Sequence, residues 1–250
     1  MHFPVPRRHI RFCAVKIKET KNYTTVEILY EDNHIIAVNK QVGEIVQADK
    51  TGDHTLMDDV KQYIKVKYNK PGDVFLGVVH RIDRPVSGVV LFARTSKALS
   101  RLNTMFAEKR VKKIYWAIVQ NRPEQLEAEL RHFIGKNEEK NRALVSVSQR
   151  TGYKEAILSY KLISSTEHLN LLEVELKTGR HHQIRAQLSR IGCPIRGDLK
   201  YGAKRSNEGG GINLHSRKVE FEHPVTHEMI KIEAPVPTQD NAWRVFANVE

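Results

Sequence analysis

Runs of strand length recur along almost the whole chain with no regular alternation of helices between them, and this constrains the fold more than any other feature. VEILYE and HIIAVNK come first, from Val26, parted by the turn signal Asp32-Asn33, which predicts a hairpin. VFLGVV and GVVLFA read as buried strands on either side of the polar segment HRIDRPVS. IYWAIV, EAILSYKLI, LNLLEVELK, INLHSRKVEF and MIKIEAP follow as further strands. Successive parallel strands need a crossover, usually a helix, between them. The pattern therefore predicts an α+β fold, a mixed and mostly antiparallel central sheet flanked by helices, over a doubly wound one.

Helical spacing is confined to a few segments. Leu56, Val60 and Ile64 recur every fourth residue between Thr55 and Tyr68, after Asp53. Leu99, Leu102, Met105 and Phe106 share a face after Ser96, a suitable N-cap, in a helix running to about Glu108. Thr178-Gly179 opens a helix expected to run through Arg190 and to end at Gly192, with Pro194 beyond. The segment from Asn121 to Arg150 is charged and weakly patterned, with EEKNR as a hairpin tip. The glycine run at 209–211 reads as a flexible loop, before a short terminal stretch around Trp243 and Phe246. There is no internal repeat.

The formal net charge is +12 and the pI is near 9.7, which makes nucleic acid the leading partner. The start is itself basic, with Arg7, Arg8, Arg11, Lys16, Lys18 and Lys21 against the single acid Glu19. Residues 1–25 are expected to be a basic arm ahead of one domain over 26–250. The two cysteines, Cys13 and Cys193, suit neither a disulfide framework nor a four-cysteine zinc site. With no signal-like run and no stretch of eighteen apolar residues, a soluble cytoplasmic chain with no membrane partner is expected.

Several chemistries are excluded by spacing. There is no GxxxxGK[ST] phosphate cradle, no strand-linked GxGxxG and no GxSxG elbow. His181 and His182 are adjacent, so on a helix they would point to different faces and could not jointly ligate a metal. Neither a metal nor a cofactor is expected.

What remains is arginine gathered around one aspartate. In His80-Arg81-Ile82-Asp83-Arg84, an extended segment would put Arg81 and Asp83 on one side and Arg84 on the other. A neighbouring guanidinium lowers an aspartate pKa by about 1 to 3 units, which suits a nucleophile or anion stabiliser more than a general acid. A surface salt bridge at a turn is the plainer alternative. Lys177-Thr178-Gly179-Arg180-His181-His182-Gln183-Ile184-Arg185 puts cations and free N–H groups at a helix start, an anion site, or else a solvated helix face. Lys109 to Trp116 interleaves bases with aromatics, which supports stacking on exposed bases, although Tyr115 and Trp116 equally suit a core.

At these residues the chain resembles the RluA family of RNA pseudouridine synthases. The likeness lies in Tyr30-Glu31-Asp32 with Val38-Asn39-Lys40 and Gly43, in HRIDRPVSGVVLFARTSKAL from His80, in VKKIYWA from Val111, and in TGRHHQIRAQLSRIGCPIRGDLKYG from Thr178. One departure is visible, Lys40-Gln41 where the family usually has Lys-Pro, and it is expected to affect only a turn distant in sequence from Asp83.

The resemblance implies the pseudouridine synthase fold and an isomerase acting on RNA, transfer RNA, ribosomal RNA or both, as a monomer without cofactor or metal. It implies a catalytic Asp83, an active-site aromatic at Tyr115, and Arg185 paired with the aspartate. Arg81 would fill the gap left by a flipped base, with His80, Arg84, Arg180, Gln183, Lys112 and Lys113 as further RNA-binding residues. Asp83 would attack the anomeric carbon or remove the proton from ribose carbon 2; the sequence is consistent with both. Only a short stretch precedes the first block, so recognition is expected to rest on the catalytic domain with the basic arm and the Lys109 to Lys113 cluster. The alternatives are a non-catalytic RNA-folding chaperone of the same fold and, more weakly, a nucleosidase, for which no second carboxylate lies near Asp83 in sequence.

Overall fold

The computed structural model describes residues 26–48, 52–238 and 240–249. The basic arm, with Cys13, lies outside the described residues.

The first hairpin forms as its sequence predicts. Strands β1 (Ile28–Glu31) and β2 (Ile35–Lys40) pair antiparallel. Asp32 Oδ1 turns the corner by accepting the His34 and Ile35 N–H groups at 2.7 and 2.8 Å. Helix α1 (Leu56–Lys67) starts at a capping box, Thr55 with Asp58, which satisfies N–H groups a first turn leaves open. It buries Leu56, Val60 and Ile64, the residues of the fourfold spacing.

Strands β3 (Gly77–Val78) and β4 (Ser87–Ala93) follow, then α2 (Ser96–Ala107) and β5 (Lys112–Val119). The long hairpin of β6 (Glu127–Asn137) and β7 (Arg142–Ser146) precedes β8 (Lys154–Ser165) and β9 (Asn170–Leu176). Helix α3 (Gln183–Arg190), β10 (Leu214–Glu222), β11 (Met229–Glu233) and α4 (Asn241–Arg244) complete the order.

Among the described residues the strands join in one 11-stranded sheet, ordered β1-β2-β4-β10-β5-β9-β8-β6-β7, with β11 also on β10 and β3 on β4. Among the described pairings only β10 and β4 run parallel, so the sheet is mixed and mostly antiparallel. Helices α1 and α3 pack on one face, where Ile64 and Ile184 join Phe92, Tyr115 and Val174. On the other face α2 packs against Leu91 and Phe221, and α4 against Trp116 and Leu171.

The structure departs from the sequence reading in several places. VFLGVV contributes only Gly77 and Val78 to the sheet. Beyond them the chain leaves β4, and the His80 ring takes over, its Nε2 accepting the Leu91 N–H at 3.0 Å. The N-cap of α2 is Thr95, whose hydroxyl accepts from the Ala98 N–H, and not Ser96.

Helix α3 begins at Gln183, five residues later than expected from Thr178, because His182 adopts a left-handed backbone (φ 49, ψ 29) that a right-handed helix cannot continue through. His181 and His182 therefore lie ahead of the helix, with their rings stacked at 3.8 Å instead of pointing apart. The tip of the β6–β7 hairpin falls at EEKN as predicted, but the charged stretch before it is a full strand.

Candidate active site

Asp83 opens the turn that runs to Val86 ahead of β4, and the carbonyls of all four of its residues accept hydrogen bonds. The Asp83 carbonyl accepts from the Val86 N–H, Arg84 from the Gly43 N–H, and Pro85 from the Ile212 N–H. The fully buried Lys40 ammonium donates to the carbonyls of Gln41, Arg84 and Val86 at 2.9, 3.1 and 2.7 Å. Burial lowers this lysine to about 8, opposed by the charges of Glu44 and Asp83. The glycine run is not a free loop: Gly211 lies so close to Val42 that a Cβ would come within 2.8 Å of its side chain, and Ile212 then holds Pro85. Gln41 is likewise not remote from the chemistry. Its N–H donates to Glu44 at 2.7 Å, a bond that a proline could not make, beside the lysine that clamps the Asp83 turn.

Arg185 reaches this turn from α3, 102 positions along the chain. Its Nη1 donates to Asp83 Oδ2 at 3.0 Å. Its Nε and Nη2 grip both oxygens of Asp198 at 2.6 and 2.9 Å, and its guanidinium lies 5.0 Å from the Tyr201 ring centroid. Asp198 is 1% and Arg185 6% exposed, whereas Asp83 is 31% exposed and meets the solvent of the cleft. Burial works against the Arg185 charge, but hydrogen bonding and charge from Asp198, then from Asp83, hold its guanidinium above its ordinary value. One cation is thus shared between two carboxylates, with the fork given to Asp198. The trio of Asp83, Arg185 and Asp198 carries one net negative charge, and Asp83 keeps an oxygen free of Arg185.

The cleft beside Asp83 is open to solvent and holds about 110 Å³ of space. Arg81, Asp83, Tyr115, Arg180, Gln183 and Arg185 all line it, so six of the expected site residues meet there. Arg81 is exposed. Arg180 anchors its Nε on the Glu155 carbonyl at 2.8 Å. Gln183 is engaged within the protein: its amide accepts from the Thr178 hydroxyl and the Arg180 N–H and donates to the Ile157 carbonyl, pinning the turn ahead of α3. The anion site imagined at a helix start is therefore a pinned turn instead. Burial pushes the Tyr115 phenol up to about 12, which Ser216 opposes and the charge of Asp83 reinforces.

The remaining expected residues stand outside the cleft. His80 stacks on Phe106 at 5.1 Å, and burial, then the Lys113 charge, lower it to about 4. Arg84 turns away as the alternation predicts and donates from Nε to the Gly43 carbonyl at 3.0 Å. Lys112 is exposed at the start of β5, and Lys113 lies over the Phe106 ring.

Asp198, Tyr201, His182 and Lys40 complete the site without having been singled out for it. All four lie within the resembling blocks, but nothing in their local spacing marks them, because each acts across the fold. Asp198 is the second carboxylate the sequence seemed to lack; buried, gripped by Arg185 and not part of the cleft lining, it does not face the space a substrate would enter.

The sequence pattern of the family described as RNA pseudouridylate synthase matches residues 34–190. The chain is 33% identical over 228 residues to ribosomal large subunit pseudouridine synthase C of Rickettsia prowazekii, covering 90% of this chain and 73% of that protein. It is 30% identical over 222 residues to ribosomal large subunit pseudouridine synthase D of Zymomonas mobilis, covering 85% and 69%. In fold it is similar to human RNA pseudouridylate synthase domain containing 4, with a TM-score of 0.74, 22% identity and coverage of 89% and 93%. The matched span carries both the Asp83 turn and the Arg185 helix, so what is shared is the part that builds the cleft, and the chain belongs to the RluA family of RNA pseudouridine synthases.

Proposed function

We propose that this chain isomerises uridine to pseudouridine in ribosomal RNA, with Asp83 as the acting carboxylate, Arg185 as its cation and Tyr115 as the wall for the flipped base. The observation that carries the reading is the Arg185 Nη1 to Asp83 Oδ2 pair at 3.0 Å beside an open cleft. The choice of ribosomal RNA rests on the relatives whose names specify the large ribosomal subunit. The buried free thiol of Cys193 is consistent with a reducing cytoplasm.

The target uridine must leave its stack, at a cost of a few kcal/mol. Arg81, exposed at the cleft, fills the gap it leaves in this reading. Asp83 then attacks carbon 1 of the ribose or removes the proton from carbon 2; both routes need an ionised carboxylate. The bond from carbon 1 to uracil nitrogen 1 breaks, the base turns, and carbon 5 bonds to carbon 1. Carbon 5 loses its proton and nitrogen 1 gains one, so the product has the composition of the substrate. A phenol raised to about 12 is protonated at neutral pH, so Tyr115 serves as a wall and donor, not as the resting base.

Transcripts labelled with tritium at uracil carbon 5 test this. Release is expected from ribosomal RNA, and Asp83→Asn should abolish it with the dissociation constant for RNA within about threefold. No release from any cellular ribosomal or transfer RNA would overturn the activity. Release from transfer RNA alone would overturn the target, and free uracil would indicate a nucleosidase.

A further inference from the structure

His182 combines the left-handed backbone that starts α3 with a side chain turned to Asp83. A left-handed backbone at a residue other than glycine or asparagine costs about 1 kcal/mol or more, and as the N-cap of α3 its side chain makes no capping bond. The imidazole is instead spent on the site. Its Nδ1 lies 2.9 Å from the Tyr201 hydroxyl, and its Nε2 lies 3.5 Å from Asp83 Oδ2. Its side chain is 8% exposed, with His181 stacked on one face.

The tautomer follows from the two ends. The Tyr201 oxygen already accepts the Ala143 N–H at 2.7 Å, which leaves its own proton to be donated to Nδ1. At the other end Nε2 stands 3.5 Å from a carboxylate oxygen, outside hydrogen-bond geometry, and a proton on Nε2 makes that approach attractive where a bare lone pair would repel it. Burial, with help from the charges of Arg185 and His181 and against that of Asp83, keeps the ring neutral at physiological pH. The proton on Nε2 and the acceptor at Nδ1 are thus set together by Tyr201. Arg185 and His182 both address Oδ2 of Asp83.

We infer that His182 is a positioning residue for the isomerisation: as the Nε2–H tautomer set by Tyr201, it joins Arg185 in holding Asp83 by Oδ2, so that Oδ1 is presented to the ribose. The inference rests on the isomerase reading of the cleft. It assigns His182 to the carboxylate and not to the RNA, so its loss acts on kcat and leaves KM nearly unchanged.

Asparagine and glutamine separate this role from a structural one. In His182→Asn the side chain tolerates the left-handed backbone and keeps an amide where Nδ1 stood, but has no atom at Nε2. In His182→Gln an amide nitrogen replaces Nε2. With the full chain and tritiated ribosomal RNA, His182→Asn should lower kcat about 10- to 100-fold, with KM within threefold and Tm within a few degrees. His182→Gln should recover kcat to within about fivefold of the parent. Equal kcat in Asn and parent, a joint fall of kcat, KM stability and Tm, or Gln no better than Asn would each overturn the proposal.

A second measurement needs no turnover. Nitrogen NMR of the parent at pH 7 should show His182 protonated at Nε2 and accepting at Nδ1, and the opposite tautomer would also overturn it. If the parent releases no tritium from any RNA, the isomerase reading itself fails; an active parent with indifferent variants sinks only the role of His182.

Discussion

At the scale of single residues, the site works by dividing one charge. The bidentate grip of Asp198 fixes the Arg185 plane, and only Nη1 is left for Asp83. The full fork makes Asp198 a structural ion pair, whereas Asp83 receives only one N–H of the same guanidinium. His80 shows the opposite use of a polar side chain, as a fixed acceptor for the strand N–H of Leu91. That bond needs the neutral ring. Its folded value of about 4 lies below the ordinary 6.5, so its stabilisation is complete above about 6.5 and is lost as pH falls toward 4. At about 1.4 kcal/mol per unit, acidification removes up to about 3 kcal/mol through this ring. His80→Gln keeps an acceptor and does not titrate. Urea unfolding at pH 7 and pH 4.5 should show the variant losing about 2 kcal/mol less than the parent, and equal losses would remove His80 as the source.

At the scale of elements, the Asp83 turn is a clamp assembled from three distant segments, and Lys40 is its pin. Lys40→Met keeps the length of the side chain and removes three hydrogen bonds, leaving the Val86 carbonyl buried without its donor. An unsatisfied buried group costs about 1 to 3 kcal/mol. The variant should therefore lose roughly 2 to 4 kcal/mol in urea unfolding together with most of its tritium release; full activity at reduced stability would mean that the turn holds its shape without the pin. The elements themselves were largely legible. Fourfold spacing marked α1, the shared face of Leu99, Leu102, Met105 and Phe106 marked α2, and apolar runs marked β2, β4, β5, β8 and β9, because each buries a face that the pattern repeats. β6 was hidden because Glu127, Glu129 and Arg131 are exposed on it, and a strand wetted along one side has little apolar signal. The start of α3 was misread because it depends on the left-handed backbone of His182, which no periodicity announces. Asp83, Arg185 and Tyr115 were legible through their motifs. Asp198 and Lys40 were not, since each acts on a group brought near only by the sheet order.

At the scale of the whole molecule, charge is arranged by the pleat. On β9, Leu172, Val174 and Leu176 face the core under α3, and Leu176 lines the cleft. Glu173 and Glu175 alternate to the other face, where they join Glu127 and Glu129 of β6 around Lys161. In a chain with a net charge of +12, these carboxylates on the sheet face away from the cleft are balanced by Lys161, Arg131, Lys177 and Arg217, while Arg81 and Arg180 stand at the cleft itself. A polyanion is then expected to be drawn more strongly to the cleft side than to the opposite face. The preference can be measured by reversing charge on each side. Arg180→Glu should lower kcat/KM for ribosomal RNA more than tenfold, an effect that shrinks as salt rises. Glu173→Lys with Glu175→Lys adds attraction far from the cleft and should change kcat/KM by less than about threefold. If the paired lysines altered activity as strongly as Arg180→Glu does, RNA would have to wrap the opposite face as well, and the cleft side alone could not account for binding.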